Sequence, residues 1–371
     1  MNLRGLRLAT GLVLMLFVTG HMANLMLGMH SLAAMEHWRP WLMGPWRSAL
    51  GQGLLVCSAL VHIALGLYSI SRRRSLAMSK TDVVQLCLGL VTPPLLLNHA
   101  IVMHMAGKVT PNFDSTYGQM LAVYWSFSPG YALQQLCVVM VVWIHAAVGL
   151  HSWLVLRPIW KRIGGLVLPV LFAVPILALL GFAQSGQEVL DKLANDAAWK
   201  AMILENVGKL AKVTRELAEF QSRAIWTYAA AVAVAFAILA VRILRHRAKP
   251  LQLAYDGGMR ASGRYGLSIL EFSRLNDVPH AHVCSGRGRC GTCRVRVDAG
   301  TAHLSAPADL ERDTLALVRA GTGERLACQA RVLGEGVQVT RVLPAFADAS
   351  AARAPQEWVA EPAAPAAESR P

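Results

Sequence analysis

Six apolar segments, each about as long as a membrane-spanning helix, fill most of the first two thirds of the sequence. A helix needs about 20 mostly apolar residues to cross the hydrocarbon core of a bilayer. The composition agrees, because only 16% of the residues are charged, against about a quarter in soluble domains. We therefore predict a bundle of six transmembrane helices, with spans at residues 8–30, 49–70, 83–105, 131–156, 166–183 and 224–244.

The positive charge of the chain is arranged as a topology signal. The formal net charge is +14, which in a soluble protein would suggest nucleic-acid binding. Here Lys and Arg flank the apolar segments, so we expect membrane lipid and not nucleic acid as the partner. Four basic groups fall on one side of the membrane if the N-terminus is cytoplasmic: Arg4 and Arg7; Arg72, Arg73, Arg74 and Lys80; Arg157, Lys161 and Arg162; Arg242, Arg245, Arg247 and Lys249. The same topology makes the C-terminal region cytoplasmic.

The remaining segments complete the predicted domain organisation. Residues 1–247 form the membrane domain, in which 184–223 are rich in helix formers and are expected to be an external helical segment broken near Asn206–Gly208. This segment is a solvated connector or, alternatively, a sensing or docking element. Residues 248–345 form a separate polar domain. Residues 346–371 are rich in Ala and Pro and are expected to be disordered.

Four of the seven cysteines are grouped in the polar C-terminal domain: Cys284, Cys290, Cys293 and Cys328. Three lie in the spacing C-x5-C-x2-C, and the fourth is far along the chain. This layout is typical of a [2Fe–2S] cluster, where one loop gives three thiolates and a distant segment gives the fourth. Gly286, Gly288 and Gly291 allow the loop to wrap tightly. A zinc site or reduced cysteines are the alternatives.

The sequence around these cysteines, "GLSILEFSRLNDVPHAHVCSGRGRCGTCRVRVDAG", resembles ferredoxins of the C-x5-C-x2-C type, and the resemblance covers residues 250–343. It implies a β-grasp fold, an α+β arrangement of a mixed sheet over a helix, with "LQLAYDGGMRAS" as the opening hairpin. It also implies that the four cysteines ligate the cluster. Four arginines lie in or beside the loop and are expected to raise the cluster potential and to suit an acidic partner or anionic lipid: Arg287, Arg289, Arg294 and Arg296.

Seven histidines lie in the first four spans and none in the last two: His21, His30, His62, His99, His104, His145 and His151. Ionisable residues inside a bilayer are costly and mark function. At a rise of about 1.5 Å per residue, His21 and His99 fall in the outer half of the membrane, and His62 and His145 fall in the inner half. Two imidazoles facing each other across a bundle can hold the iron of a b-type haem.

Alternatives stay open for these histidines at this stage. They could form hydrogen bonds between helices, line a quinone site or relay protons. His151 is deep enough to rival His145, whereas His30 and His104 lie near the outer surface.

A wider resemblance covers residues 1 to about 345. The segments "TGHMANLMLGMHSLAAME", "LVHIALGLYSISRRRSL", "LVTPPLLLNHA" and "WIHAAVGLHSWLVLRPIW" look like the membrane region of certain bacterial class III adenylate cyclases. In that family a six-helix haem-binding anchor, similar to the membrane subunit of succinate dehydrogenase and fumarate reductase, precedes a ferredoxin domain. The resemblance implies two b haems held by His21, His62, His99 and His145, in a bacterial inner membrane. No cyclase domain follows here, so nucleotide cyclisation is not expected.

Two functions are predicted from these features. The first is a membrane-bound electron-transfer protein that passes electrons between b-type haems, linked to quinone, and a cytoplasmic [2Fe–2S] cluster serving a soluble redox partner. The second is a redox-sensing module that regulates a separate signalling protein such as an adenylate cyclase. In a third and simpler interpretation the histidines are structural, and only the ferredoxin is redox-active.

Overall fold

The computed structural model describes residues 3–109, 115–245 and 250–353, and the chain forms two compact units. The first consists of Met1–Arg73, Lys80–His151 and Lys161–Leu239. The second contains the polar domain from Ala240 onward, together with the short segments Arg74–Ser79 and Ser152–Trp160.

The first unit is helical. Its helices are α1 (Leu3–Met26), α2 (Leu32–Arg47), α3 (Ala49–Ser71), α4 (Lys80–Val109), α5 (Tyr117–Ala122), α6 (Pro129–Leu154), α7 (Trp160–Asn195) and α8 (Ala197–Arg245). Within the described residues, six helical segments are long and apolar enough to cross a membrane: Leu3–Met29, Ala49–Ser71, Lys80–Met105, Pro129–Leu154, Trp160–Asn195 and Arg215–Arg245. The predicted number and order of the apolar helices are therefore confirmed.

Helices α2 and α5 lie outside the predicted spans. At the start of each helix, side-chain oxygens accept hydrogen bonds from main-chain N–H groups that have no partner within the helix. The Ser31 hydroxyl accepts from Ala34 N at 3.1 Å, and the Glu188 carboxylate accepts from Leu32 N at 2.6 Å. At the start of α5 the Glu36 carboxylate accepts from Tyr117 N at 2.5 Å. The sequence pattern predicts neither helix, because Glu188 and Glu36 are far in sequence from the N–H groups they cap.

The segment 184–223 is helical as predicted, but the predicted break near Asn206–Gly208 is wrong. The chain breaks instead at Asp196, between α7 and α8, and the Asp196 carboxylate accepts from Trp199 N at 2.9 Å. This is an ordinary helix N-cap. Gly208 lies inside α8 with open space around it, so a glycine alone does not end this long helix.

Helix α4 contains the pair Pro93-Pro94, which removes two N–H donors from the middle of a span. The carbonyl of Leu90, which would accept from residue 94, instead accepts from the Tyr228 hydroxyl at 2.8 Å. Gln134 donates to the Leu95 carbonyl at 2.9 Å. Neighbouring helices thus supply hydrogen bonds around the prolines, as a span in lipid requires.

The second unit is a five-stranded mixed sheet with helices. Its strands are β1 (Pro250–Tyr255), β2 (Arg260–Arg264), β3 (Arg294–Ala299), β4 (Glu324–Leu326) and β5 (Val337–Arg341), in the order β2-β1-β5-β3-β4. The predicted opening hairpin is β1–β2, and β1 pairs in parallel with β5. Helix α9 (Ile269–Leu275) begins with a capping box between Ser268 and Glu271 and buries Phe272 in the core. Helix α10 (Asp309–Leu317) follows the third strand.

Part of the segment predicted to be a disordered tail packs on this unit. Ala347 and Ala352 are buried and contact a small apolar cluster with Ala281, Val318 and Leu343. The packed chain therefore continues through residue 353. The rest of the predicted tail, 354–371, lies outside the described residues.

Candidate functional site

The four cysteines of the C-terminal unit are all buried, although the loop that carries three of them lies between elements. Backbone φ is positive at Ser285, Gly286, Gly288 and Gly291, so the chain turns back on itself between Cys284 and Cys293. The pairing of β3 with β4 brings the fourth cysteine to the loop, because Ala327 N donates to the Cys293 carbonyl at 2.9 Å. Cys328 is the next residue.

The four thiols form two pairs. Cys284 lies beside Cys290, and Cys293 lies beside Cys328. Among the residues that the structure describes, no three His, Cys, Asp or Glu side chains are close enough to hold a single metal ion. A [2Fe–2S] cluster has two irons, each bound by two protein ligands, and the two pairs suit this arrangement.

Hydrogen bonds at the loop favour the thiolate form of Cys284. The Cys290 thiol and the main-chain N–H groups of 287, 289 and 290 lower the pKa of Cys284 to about 5. The pKa of Cys290 is raised, because its thiol is the donor in that pair and is buried. The Thr292 hydroxyl lies 3.1 Å from Cys290 Sγ, and the Gln329 amide donates to Cys328 Sγ at 3.3 Å. Each pair of sulfurs therefore has one side-chain hydrogen bond.

Two of the four arginines predicted to surround the cluster form ion pairs with carboxylates. Arg294 is buried and forms an ion pair with Glu324 at 3.3 Å, and Arg296 forms one with Asp298 at 2.9 Å. Glu324 is brought to β3 by the antiparallel pairing with β4, and Asp298 lies on β3 itself. The two carboxylates offset the charge of Arg294 and Arg296.

Comparison with known families decides what this unit is. Residues 258–333 match the family of 2Fe-2S iron-sulfur cluster binding domains. The C-terminal unit is a 2Fe–2S ferredoxin domain. Chlorosome protein I of Chlorobaculum tepidum is 36% identical over 76 residues, which are 20% of this chain and 31% of that relative. The ISC-like [2Fe-2S] ferredoxin FdxB from Pseudomonas putida is 23% identical, over 26% of this chain and 93% of its own, with a TM-score of 0.23. The ferredoxin domain implies electron transfer, and the assignment of the four individual ligands stays a prediction.

We expect Thr292→Val to lower the potential of the cluster. Hydrogen bonds to the sulfurs stabilise the more negative reduced state, so losing one favours oxidation. One neutral hydrogen bond is worth about 0.5–1.5 kcal/mol, which corresponds to about 20–60 mV for a one-electron couple. A redox titration followed by EPR measures the shift. An unchanged midpoint would show that the hydroxyl does not donate to the cluster sulfur.

The six-helix unit brings the predicted membrane histidines together in two pairs. The ring centres of His21 and His99 are 6.0 Å apart, and those of His62 and His145 are 6.3 Å apart. A metal bonded at about 2 Å to the Nε2 atoms of two opposed imidazoles places the ring centres about 6 Å apart. Both pairs therefore have the spacing needed to hold one metal from two sides.

The Nδ1 atoms of all four rings have partners. His62 Nδ1 lies 3.1 Å from the Arg7 carbonyl, and His145 Nδ1 lies 3.2 Å from the Gln85 carbonyl. Carbonyls only accept, so Nδ1 carries the proton, and Nε2 keeps its lone pair. In the outer pair the partners are tyrosine hydroxyls, Tyr117 for His21 and Tyr124 for His99.

Two glycines that adjoin the inner histidine pair were missed in the sequence. A Cβ at Gly11 would lie 3.0 Å from His62 Cε1, and one at Gly89 would lie 2.8 Å from His145 Cε1. Each glycine is four residues after the carbonyl that binds the histidine, so its missing side chain leaves that carbonyl open to the ring. Gly11 and Gly89 therefore occupy equivalent positions, one in α1 and one in α4, relative to the carbonyl and the histidine.

An internal repeat in the sequence relates the positions of Gly11 and Gly89. Each glycine precedes a histidine of the outer pair, His21 or His99, by ten residues. The following spans share "H-x-A-x-G-L-x-S", which is "HIALGLYS" in α3 and "HAAVGLHS" in α6. The two-span unit thus occurs twice, as α1 with α3 and as α4 with α6. Each histidine pair takes one histidine from each copy.

The other three membrane histidines belong to neither of these pairs: His30, His104 and His151. His145 is the residue that faces His62, and His151 lies six positions further along α6. His30 is exposed after α1, and His104 lies near the end of α4.

Proposed function

We propose that this protein is a membrane electron-transfer protein in which two b-type haems in the six-helix unit and the [2Fe–2S] cluster form the redox chain. The observation that carries the proposal is the spacing of the two histidine pairs, whose ring centres are 6.0 and 6.3 Å apart. A bound haem supplies a one-electron iron couple at each pair.

The residues around the inner pair fit this role. The carbonyls of Arg7 and Gln85 accept from the imidazoles, which fixes the ring orientation and makes Nε2 a better ligand. Gly11 and Gly89 leave room for the two rings to lie against α1 and α4. The donor set is two neutral imidazoles in an apolar bundle, which suits a haem iron.

The two pairs lie at different depths of the bundle, the outer pair on α1 and α4 and the inner pair on α3 and α6. Helix α1 relates the two levels, because its Arg7 carbonyl contacts His62 of the inner pair and it carries His21 of the outer pair. Arg7 and His21 are separated by about 20 Å at the helical rise of about 1.5 Å per residue. The histidines therefore hold two redox positions at different levels of the bilayer.

We test the redox proposal with optical and EPR spectra of the purified full-length protein, oxidised and dithionite-reduced. Two b-type haems per chain and a [2Fe–2S] signal on reduction are expected. His62→Ala and His99→Ala should each remove one haem and leave the cluster signal. Purified protein without a Soret band would refute the haem part while leaving the ferredoxin domain intact.

We further propose a bacterial inner-membrane location with the ferredoxin domain in the cytoplasm, which is supported by the basic groups at the span ends. Phe346→Cys, at a side chain that is 90% exposed, should react with a membrane-impermeant maleimide in inverted vesicles only. Glu205→Cys, in the external helical segment, is the matched control and should react in right-side-out vesicles only. The reverse pattern would refute this orientation.

A further inference from the structure

One helical segment presents a tyrosine to each histidine of the outer pair. The segment consists of α5 and the π-helical turn Val123–Phe127 that continues it. The Tyr117 hydroxyl lies 3.5 Å from His21 Nδ1, and the two rings are stacked with centres 6.4 Å apart. The Tyr124 hydroxyl lies 3.1 Å from His99 Nδ1. Tyr124 is buried.

The segment is fixed at its start by several polar contacts. Thr116 caps α5 through a hydrogen bond from Gln119 N at 3.2 Å, and Glu36 accepts from Tyr117 N at 2.5 Å. Arg39 forms an ion pair with Glu36 at 2.9 Å and donates to the Ser115 carbonyl at 2.9 Å. These bonds fix the start of the segment that carries the two tyrosines.

The π-helical turn adds a second sign of function. A π turn is rare and is frequently found at functional sites. Here it contains Tyr124, the residue with the shorter hydroxyl-to-imidazole distance. The inner pair is arranged differently: its nearest Nδ1 partners are main-chain carbonyls, and the Thr10 hydroxyl lies 3.3 Å from His62 Nδ1.

We propose that Tyr117 and Tyr124 are positioning residues of the outer haem site, each accepting the Nδ1 proton of one histidine ligand. This inference rests on the proposed function. By accepting that proton a tyrosine oxygen orients the ring and raises the basicity of Nε2. The outer site is therefore tuned by two tyrosine hydroxyls, whereas each imidazole of the inner site has a main-chain carbonyl as its nearest Nδ1 partner.

Tyr124→Phe tests the proposal in the full-length, haem-loaded protein. Without the acceptor, His99 becomes a less basic ligand and stabilises ferric iron less. We expect the midpoint potential of one haem component to rise, with at least about a threefold change in its reduction equilibrium, or about 28 mV. The other component should not move. The shifted component should be the one that His99→Ala removes and His62→Ala retains.

Two further variants make the test decisive. Tyr117→Phe should move the same component, and Tyr68→Phe, which changes an exposed tyrosine of α3, should move neither. A shift in the component that depends on His62, an equal shift in both, or no shift would overturn the inference. If Tyr124→Phe loses haem instead, selective loss of the His99 component supports the inference, and loss of both components contradicts it. Wild-type protein that lacks haem would refute the proposed function itself.

Discussion

Gly89→Ala is expected to remove the inner haem and leave the outer haem and the [2Fe–2S] cluster in place. The new Cβ would lie 2.8 Å from His145 Cε1 and 3.3 Å from its Nδ1. The imidazole would have to shift from its position beside the Gln85 carbonyl. Disturbing a ligand's supporting hydrogen bond typically costs about 10- to 100-fold in affinity, and here the ring itself is displaced. Haem content by the pyridine haemochrome assay should fall from two to about one per chain.

A weaker helix would not explain haem loss in Gly89→Ala, because the substitution favours the helix. Alanine is favoured over glycine inside a helix by about 1 kcal/mol, so Gly89→Ala should not weaken α4 itself. Gly53→Ala in α3 is the matched control, because its added Cβ meets no atom within 4 Å. It should keep both haems, whereas Gly11→Ala should affect the same component as Gly89→Ala, though less. Two normal haem signals in the Gly89→Ala protein would show that His145 is not a ligand.

The sequence predicts the helical unit well because a bilayer fixes the length of a span. It also predicts which histidines share a depth, since the helical rise is constant, and the structure indeed places His21 near His99 and His62 near His145. It does not predict the Nδ1 partners. Those depend on the rotation of each helix and on a short segment, α5, whose start is fixed by Glu36 from another helix.

In the ferredoxin domain, too, the sequence predicts the local structure better than the contacts between distant residues. Cysteine spacing and glycines indicate the loop, because few backbones can wrap a cluster. The state of the arginines was not predictable from the loop alone. Arg294 is buried against Glu324 because of the register of β3 on β4, and Glu324 is 30 residues away in sequence. Likewise, the N-cap at Asp196 was not predicted, because the residues around it are good helix formers.

Gly291→Ala is expected to be the most damaging glycine substitution in the cluster loop. Gly291 has φ of +72°, and its added Cβ would lie 2.7 Å from Val318 Cγ1. The left-handed backbone costs a residue with a Cβ about 1–2 kcal/mol. Overpacking a buried site adds about 1–3 kcal/mol. Since the loop between Cys290 and Cys293 cannot shift without moving a thiol, the strain should appear as lost cluster, measured by iron content and by EPR of the reduced protein.

Gly323→Ala separates the two causes of that loss. Gly323 has φ of +77°, but its added Cβ meets no atom within 4 Å, so this variant carries only the backbone cost. It should be destabilised in chemical unfolding yet keep its cluster. In Gly291→Ala, adding Val318→Ala removes the atoms that the new Cβ would strike, so the double variant should regain part of the cluster. Equal cluster loss in the two single glycine variants would mean that backbone strain alone is responsible, and that the contact with Val318 does not shape the loop.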